Sequence, residues 1–449
     1  MENELFEKAP IHEAYLKLAI PVVLSMVVQL VYNMVDTYFI ALTQNTALIA
    51  GVSLCTPLFT LFLAFGDMFG LGGSSVISRF LGAGHKDDVK RISAFCMYSS
   101  FIFGLIVTAV LLIKKTSILY FLGADETNIS YASQYYTFIV LGCSFIIFML
   151  VPNNILRAVG HPNASMFASI LGAVINIILD PVFIFGLKMG AAGAAIATII
   201  GYICSAIFSI IYIVKKCDAL SISVKDLHIK ANELWMILAV GLPASVTNFT
   251  QTLGITLTNR HLSLYGSDAI AVMGIVLKIV NIVMLVIVGL AFGGQPLTGY
   301  VYGSKNTARL KKVLSFAYKI VCGTGFVLAG ILALLAKPVL NLFLHEETLI
   351  DMGALMLRLQ MPSMVLMGFG LVTICAFQSM GKGLPALILS LCRQGIVFWI
   401  VITVFTKKFG YYGVISSQLG SDVVSVLIAA ILFLIAIRPE IKVSSPREA

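Results

Sequence analysis

The feature that most limits what this chain can become is a near-unbroken succession of apolar runs, parted by short charged or Gly/Pro-rich breaks. A helix needs about 20 apolar residues to cross a hydrocarbon core. Twelve runs meet that length: 14–42, 52–80, 92–113, 133–156, 163–187, 189–214, 233–259, 269–302, 313–336, 352–378, 384–406 and 412–437. Inside a bilayer every backbone N–H and C=O must find an internal partner, so only helices and closed barrels span it, and the runs lack the alternation of barrel strands. Of the 449 residues, 59% are apolar and 11% charged. Soluble domains average about 45–50% and 25%, so charge is too scarce to coat a water-facing surface, and a soluble enzyme is excluded. The expected fold class is an all-α polytopic membrane protein with twelve transmembrane helices.

The scarce charge is distributed by topology. The net charge of +9 does not point to nucleic acid, because the basic residues sit between apolar runs and form no patch with interleaved aromatics. With Arg79 counted in the loop that follows its run, the even-numbered loops and both termini carry 18 Lys and Arg, and the odd-numbered loops carry 7. By the positive-inside rule both termini are expected in the cytoplasm. The N-terminal segment MENELFEKAPIHEA is acidic where a signal peptide is basic, so the first run is expected to remain as a helix. The eight cysteines lie mostly within apolar runs, contain no Cys-x-x-Cys pair, and read as packing residues.

The chain also repeats itself at a separation near 221 residues. Ala-Ile-Pro21 returns as Gly-Leu-Pro243, the loop Gly82–Arg91 as Gly303–Lys312, and Asp125-Glu-Thr127 as Glu346-Glu-Thr348. Arg157-Ala-Val-Gly160 returns as Gln378-Ser-Met-Gly381, and Gly190-Ala-Ala-Gly193 as Gly410-Tyr-Tyr-Gly413. Six helices per repeat is an even number, so the halves share one orientation and are expected to relate by an axis along the membrane normal, as in transporters whose lobes rock about a central site. The expected organisation is an N-terminal lobe over 1–214, a cytoplasmic linker over 215–232 and a C-terminal lobe over 233–449.

Motifs for other chemistry are missing. Gly381-Lys-Gly383 lacks the rest of a phosphate loop, His345-Glu346-Glu347 has Leu349 where a zinc protease needs its second His, and no Gly-x-Ser-x-Gly elbow occurs. No enzymatic activity and no cofactor are expected. All six histidines fall in loops or at run edges, so a proton relay would have to use carboxylates.

An ionisable side chain costs about 2.5–3.5 kcal/mol or more at the centre of a lipid-exposed helix, which makes the acids within runs informative. They are Asp36, Asp67, Asp180 and Asp422. Asp36 and Asp180 stand six and seven residues from the outer ends of runs 1 and 5, about 10 Å below the external surface at ~1.5 Å per residue. Tyr32 and Asn33 precede Asp36, and Asn176 precedes Asp180, at helical spacing; Thr198 in run 6 lies at similar depth. Pro181 has no N–H to offer the carbonyl of Ile177. Carboxylates, amides, a hydroxyl and a freed carbonyl make a hard oxygen site suited to Na⁺ or to a shared proton; ordinary interhelical hydrogen bonding is the competing account. The repeat supports a cation site, because Asp36 maps to Thr258, Asn176 to Val397 and Asp180 to Val401, so only the first half carries the acids. Asp67 and Lys278 lie on repeat-equivalent runs as a possible charge pair, set against separate local neutralisation, and Arg393 is a candidate partner for Asp422. Gly66-x-x-x-Gly70 and Gly289-x-x-x-Gly293 read as close-packing positions. Met26, Met34, Met68, Met273 and Met284 are candidate walls of a cavity for lipophilic cations.

At these residues the chain resembles the multidrug and toxic-compound extrusion (MATE) family, most closely its MepA-like bacterial branch. The resemblance covers nearly the whole chain and rests on Pro21, Asp36, Ser78-Arg79-Phe-Leu-Gly82, Arg157-Ala-Val-Gly160, Asn176-Ile-Ile-Leu-Asp180-Pro181, Gly190–Thr198 and Gln295-Pro296 with Gly303. It implies two six-helix bundles in a V-shaped arrangement, and export of cationic drugs from a cell membrane in exchange for Na⁺ or H⁺ by a monomer. It places the coupling cation at Asp36, Asn176, Asp180 and Thr198. Some relatives use acids on helices 7 and 10 instead; here those helices hold Asn248, Gln251 and Thr373 but no carboxylate at membrane depth. The alternative function is a flippase for a lipid-linked oligosaccharide or another lipid. That activity is expected to need several basic residues in the central cavity, where this sequence offers only Lys278 and Arg393 in mid-run.

Overall fold

A computed structural model describes residues 2–442. Twelve passes follow in chain order. They are α1 (Ile11–Leu42), α2 (Thr46–Leu54 continued by Thr56–Gly82), α3 (Lys86–Ile113), α4 (Ile129–Leu141 and Cys143–Ala158), α5 (Pro162–Pro181) and α6 (Gly190–Lys216). After a linker come α7 (Ala231–Leu262), α8 (Ser267–Gly293 continued by Gln295–Gly303), α9 (Thr307–Leu334), α10 (Glu347–Ser379), α11 (Gly383–Gln394 and Ile396–Phe409) and α12 (Tyr411–Ala436). Ten are long and apolar enough to cross a membrane as single spans, the two parts of α4 make an eleventh bent by 46°, and α7 has the length of a pass at 32 residues. Among the described residues there is no strand.

Helix ends overrun the apolar runs because only the membrane-embedded part needs to be apolar. α3 starts at Lys86, six residues before its run, with Asp87 and Asp88 in its first turn, where carboxylates complement the helix dipole. Further along, α3 shows how such a helix sorts its residues. Ser93, Cys96, Ser100 and Gly104 are buried, while Ile102, Ile106, Val110 and Ile113 are 54–79% exposed. Lipid is as apolar as Leu, so packing favours small residues that let helices approach and leaves the branched ones outside.

The chain forms two compact units. One runs from Leu24 to Ser245; the other joins the residues before Leu24 to those from Val246 onward. These boundaries differ from the expected break at the linker. The chain changes unit inside α1 and again inside α7, in each case two residues after a proline, Pro21 or Pro243. Glycines show why the first halves of these two helices pack as they do. A Cβ on Gly293 would stand 2.3 Å from the Ala19 Cα, and one on Gly289 would stand 2.7 Å from Val23 Cγ2, so the start of α1 lies directly on α8. The same device recurs in the Leu24–Ser245 unit. A Cβ on Gly72 would meet the Ile237 carbonyl oxygen at 2.4 Å, and one on Gly241 the Met68 oxygen at 1.9 Å, which sets the start of α7 on α2. Gly66 and Gly70 likewise fit against Leu150 and Asn154 of α4.

The linker belongs to the unit that precedes it. The Tyr98 hydroxyl donates to the Ile222 carbonyl at 2.9 Å, and the Ser221 amide donates to Ser93 Oγ at 3.0 Å. The repeated acid-Thr motif also has a local use. Thr127 Oγ1 donates to Asp125 Oδ1 at 2.6 Å ahead of α4, and Thr348 Oγ1 to Glu346 Oε1 at 2.7 Å at the start of α10. The Thr127 hydroxyl and the Thr127 and Asn128 amides hold the Asp125 carboxyl below the usual range.

Gly241→Ala should therefore lower the thermal unfolding midpoint by several degrees, because overpacking against a backbone oxygen costs about 1–3 kcal/mol. Gly274→Ala, whose Cβ would meet nothing within 4 Å, should leave it unchanged or slightly higher. Equal midpoints for the two variants in a fluorescence melt would contradict this packing.

Candidate functional site

Within the Leu24–Ser245 unit, three helices each turn a pair of polar residues, four positions apart, toward one point. α1 supplies Tyr32 and Asp36, α5 supplies Asn176 and Asp180, and α6 supplies Thr198 and Tyr202. The i, i+4 spacing puts each pair on one helix face. Close approach of α5 and α6 comes from Gly172 and Gly201: a Cβ on Gly172 would stand 2.8 Å from the Gly201 oxygen, and one on Gly201 would stand 2.6 Å from the Gly172 oxygen. No side chain fits there, and Asn176 and Thr198 are the next polar groups along the crossing.

The site is dry. Asp180 is 0% exposed, Asn176 2%, Thr198 4% and Tyr32 8%. Asn176 Nδ2 lies 3.3 Å from Thr198 Oγ1 and 3.5 Å from Asp180 Oδ1. Tyr32 and Asp36 of α1 lie against this group, with the Asp36 and Asp180 carboxyls near enough to act on each other. Three buried oxygens have no partner among the described residues: Asp36 Oδ1, Asn176 Oδ1 and Asp180 Oδ2. All three are acceptors, and a buried acceptor left unpaired costs about 1–3 kcal/mol, more when charged. Two ionised carboxylates packed together also repel, and more strongly away from water than in it. A proton or a hard cation removes both penalties at once.

After Asp180 the helix geometry changes. Pro181 ends α5, and Val182–Gly186 form a π-helical turn, a widened geometry frequent at functional sites. Gly193 at the start of α6 accommodates this turn, since a Cβ there would meet the Phe183 carbonyl carbon at 2.8 Å. A cavity of about 40 Å³ adjoins the site, with Gln29, Tyr32, Asn176, Thr198 and Tyr202 in its wall. Tyr202 and Gln29 were not among the candidates from sequence, although Tyr202 follows Thr198 by the same four-residue step that marked the other pairs.

The remaining candidates lie elsewhere. Asn33 is exposed on α1, and Met34 is 65% exposed. Met26 is half-buried and Met68 is buried at the α2 contact with Gly241. Asp67 is half-buried, and its charge acts on the half-buried guanidinium of Arg157 in the same unit. Lys278 is exposed on α8. Met273 and Met284 line a cavity of the other unit. In that unit Arg393 Nε donates to Asp422 Oδ1 at 3.0 Å, the pairing that the sequence left as a candidate. The side chain of Asn248 lies outside the described residues, while Thr373 Oγ1 is bonded to the Tyr318 hydroxyl at 2.8 Å.

If Asp36 and Asp180 repel in the absence of an ion, Asp180→Asn should raise the unfolding midpoint in sodium-free choline buffer by the equivalent of about 1 kcal/mol or more, since removing strain at a functional site commonly stabilises. Added Na⁺ should then stabilise the wild type but not this variant if Na⁺ is the ligand. An Asp180→Asn protein less stable than wild type in choline would mean that the acids are not strained.

Known proteins with this organisation are transporters. The MatE family model matches residues 21–182 and again 243–405, once per repeat. The chain is 31% identical over 441 residues to the multidrug export protein MepA of Staphylococcus aureus (strain MRSA252), covering 98% of this chain and 97% of that protein. It is 33% identical over 430 residues to MepA of Staphylococcus haemolyticus (strain JCSC1435), covering 94% and 93%. Its fold matches a solved structure described as the outward-facing conformation of a multidrug resistance MATE family transporter of the MOP superfamily, with a TM-score of 0.91, 27% identity, and 97% and 98% coverage. With twelve helical passes, a doubled family match and relatives similar from end to end, the chain belongs to the MATE family of multi-pass membrane transporters.

Proposed function

We propose that this protein exports lipophilic organic cations from the cell in antiport with Na⁺ or H⁺, coupled through Asp36, Asn176, Asp180 and Thr198. The observation that carries the reading is the set of three unpartnered buried oxygens on Asp36, Asn176 and Asp180. The multidrug export described for the MepA relatives supports the substrate class. The plasma membrane is the proposed location, with both termini cytoplasmic and the monomer as the working unit.

The geometry gives the cycle a physical basis. With both carboxylates ionised, the site holds negative charge that attracts either the coupling ion or a cationic drug. An entering Na⁺ or H⁺ cancels that charge and satisfies the orphaned oxygens, so the electrostatic hold on the drug disappears. α1 carries both Asp36 and an internal proline, Pro21, whose missing N–H weakens the helix locally; bending there links neutralisation of Asp36 to movement of the helix.

Reconstituted in vesicles with a fluorescent organic cation, the protein should respond to an imposed Na⁺ gradient or to a pH gradient. Asp36→Asn and Asp180→Asn should each cut gradient-driven flux tenfold or more, which corresponds to about 1.4 kcal/mol of lost ion binding. Full gradient-driven flux in either variant would overturn the assignment, and silence under both gradients would overturn antiport itself.

A further inference from the structure

The repeat places a second polar cavity at the corresponding position of the other unit, with its charge content changed. The register is continuous from helix to helix: Gln29 corresponds to Gln251 and Asp36 to Thr258 (222 residues on), Gly172 to Arg393 (221), and Thr198 to Gln418 and Tyr202 to Asp422 (220). Gln251, Thr258, Arg393 and Gln418, together with Gln360 and Gln394, line a cavity of about 80 Å³. A water needs about 10–15 Å³ measured this way, so the space takes a carboxylate-sized head group and a few waters. Where the cation site has a glycine at the helix crossing, this cavity has a guanidinium. Ser421, the counterpart of Gly201, holds the Arg393 backbone through a hydroxyl bond to its carbonyl at 2.9 Å.

The single acid nearby is already committed. Asp422, 1% exposed, accepts from Arg393 Nε at 3.0 Å on one oxygen and from Ser363 Oγ and Gln418 Nε2 on the other. It anchors the arginine and has little left to offer a cation. Arg393 is in the opposite position. A guanidinium carries five N–H donors; one goes to Asp422, and the other four have no partner among the described residues. The side chain is 16% exposed and stands in the cavity wall, where its remaining N–H groups are open to an incoming acceptor. α11 also breaks at Gly395, two residues beyond Arg393, where the backbone leaves helical geometry at φ −109°, ψ −110°. α5 passes through the corresponding position as an unbroken helix. Broken helices with freed polar groups line substrate sites in transporters.

We propose that this cavity binds the carboxylate of amphipathic solutes, with the free edge of Arg393 as the bidentate donor and the surrounding glutamine amides as further donors. The inference rests on the export reading and names the group that would hold the anionic end of a substrate, which the acidic site of the other unit would repel. Among the described residues no carboxylate other than that of Asp422 is paired with Arg393, and Asp422 is already held by two further donors, so a second carboxylate completes the guanidinium fork.

The test uses two probes that differ in one group: a rhodamine with a free carboxylate and the methyl ester of the same dye. Binding of each to the full-length protein in phosphatidylcholine nanodiscs is read by fluorescence polarisation. The double variant Arg393→Gln/Asp422→Asn leaves no lone buried charge, so it is the variant expected to fold; retained ester binding verifies that it has. It should weaken the free acid by about tenfold or more and change the ester by less than about threefold. Arg393→Lys, which keeps the charge and loses the fork, should fall between wild type and the double variant for the free acid. Unchanged free-acid affinity in the double variant, or equal weakening of both dyes, overturns the proposal. Binding is measured with no ion gradient, so a failure of coupled efflux in vesicles leaves this outcome untouched.

Discussion

No water is available in the hydrocarbon core to satisfy a polar group, and this constraint organises the whole molecule. Backbone groups answer it by forming helices. Side chains answer it by pairing, as Arg393 and Asp422 do on opposing helices of one unit. Where neither answer is complete, a ligand would supply the missing partner. The unpartnered oxygens of Asp36, Asn176 and Asp180 are that incompleteness on the acidic side, and the free N–H groups of Arg393 are its counterpart on the basic side.

Close packing supplies the rigidity such sites need. Lipid gives no hydrophobic drive for one helix to prefer another, so association depends on how near two backbones can come. Gly172 and Gly201 bring α5 and α6 together and thereby set Asn176 beside Thr198. Gly289 and Gly293 do the same for the start of α1 on α8, and Gly72 and Gly241 for the start of α7 on α2. These contacts explain why the compact units exchange the first halves of α1 and α7, although the linker lies elsewhere in the sequence. They also make Pro21 and Pro243 repeat-equivalent points, each two residues short of the place where the chain leaves one unit for the other.

Duplication kept the helical scaffold while the polar content diverged. A glycine at the α5–α6 crossing permits backbone contact, whereas the arginine at the matching place stands beside a break in α11 and a serine bond to its carbonyl. Thr198 bonds the amide of Asn176, while Gln418 in its place bonds Asp422. Two copies of one architecture thus present an oxygen-rich pocket and a nitrogen-rich one.

Membrane class, the all-helical fold, the repeat and the grouping of Asp36, Asn176, Asp180 and Thr198 were legible in the sequence. Their signals are either statistical, as with apolar runs about 20 residues long, or penalised, as with acids that hydrocarbon would exclude without a purpose. Tyr202 was legible in principle, one helical turn after Thr198. The exposure of Asn33 and Met34, the association of Asp67 with Arg157 and the division of the chain inside α1 and α7 were not. A sequence records which residues share a helix face, because that follows from 3.6 residues per turn. Which face meets which neighbour depends on sub-ångström clearances between glycines and distant backbones, and only the folded chain sets those.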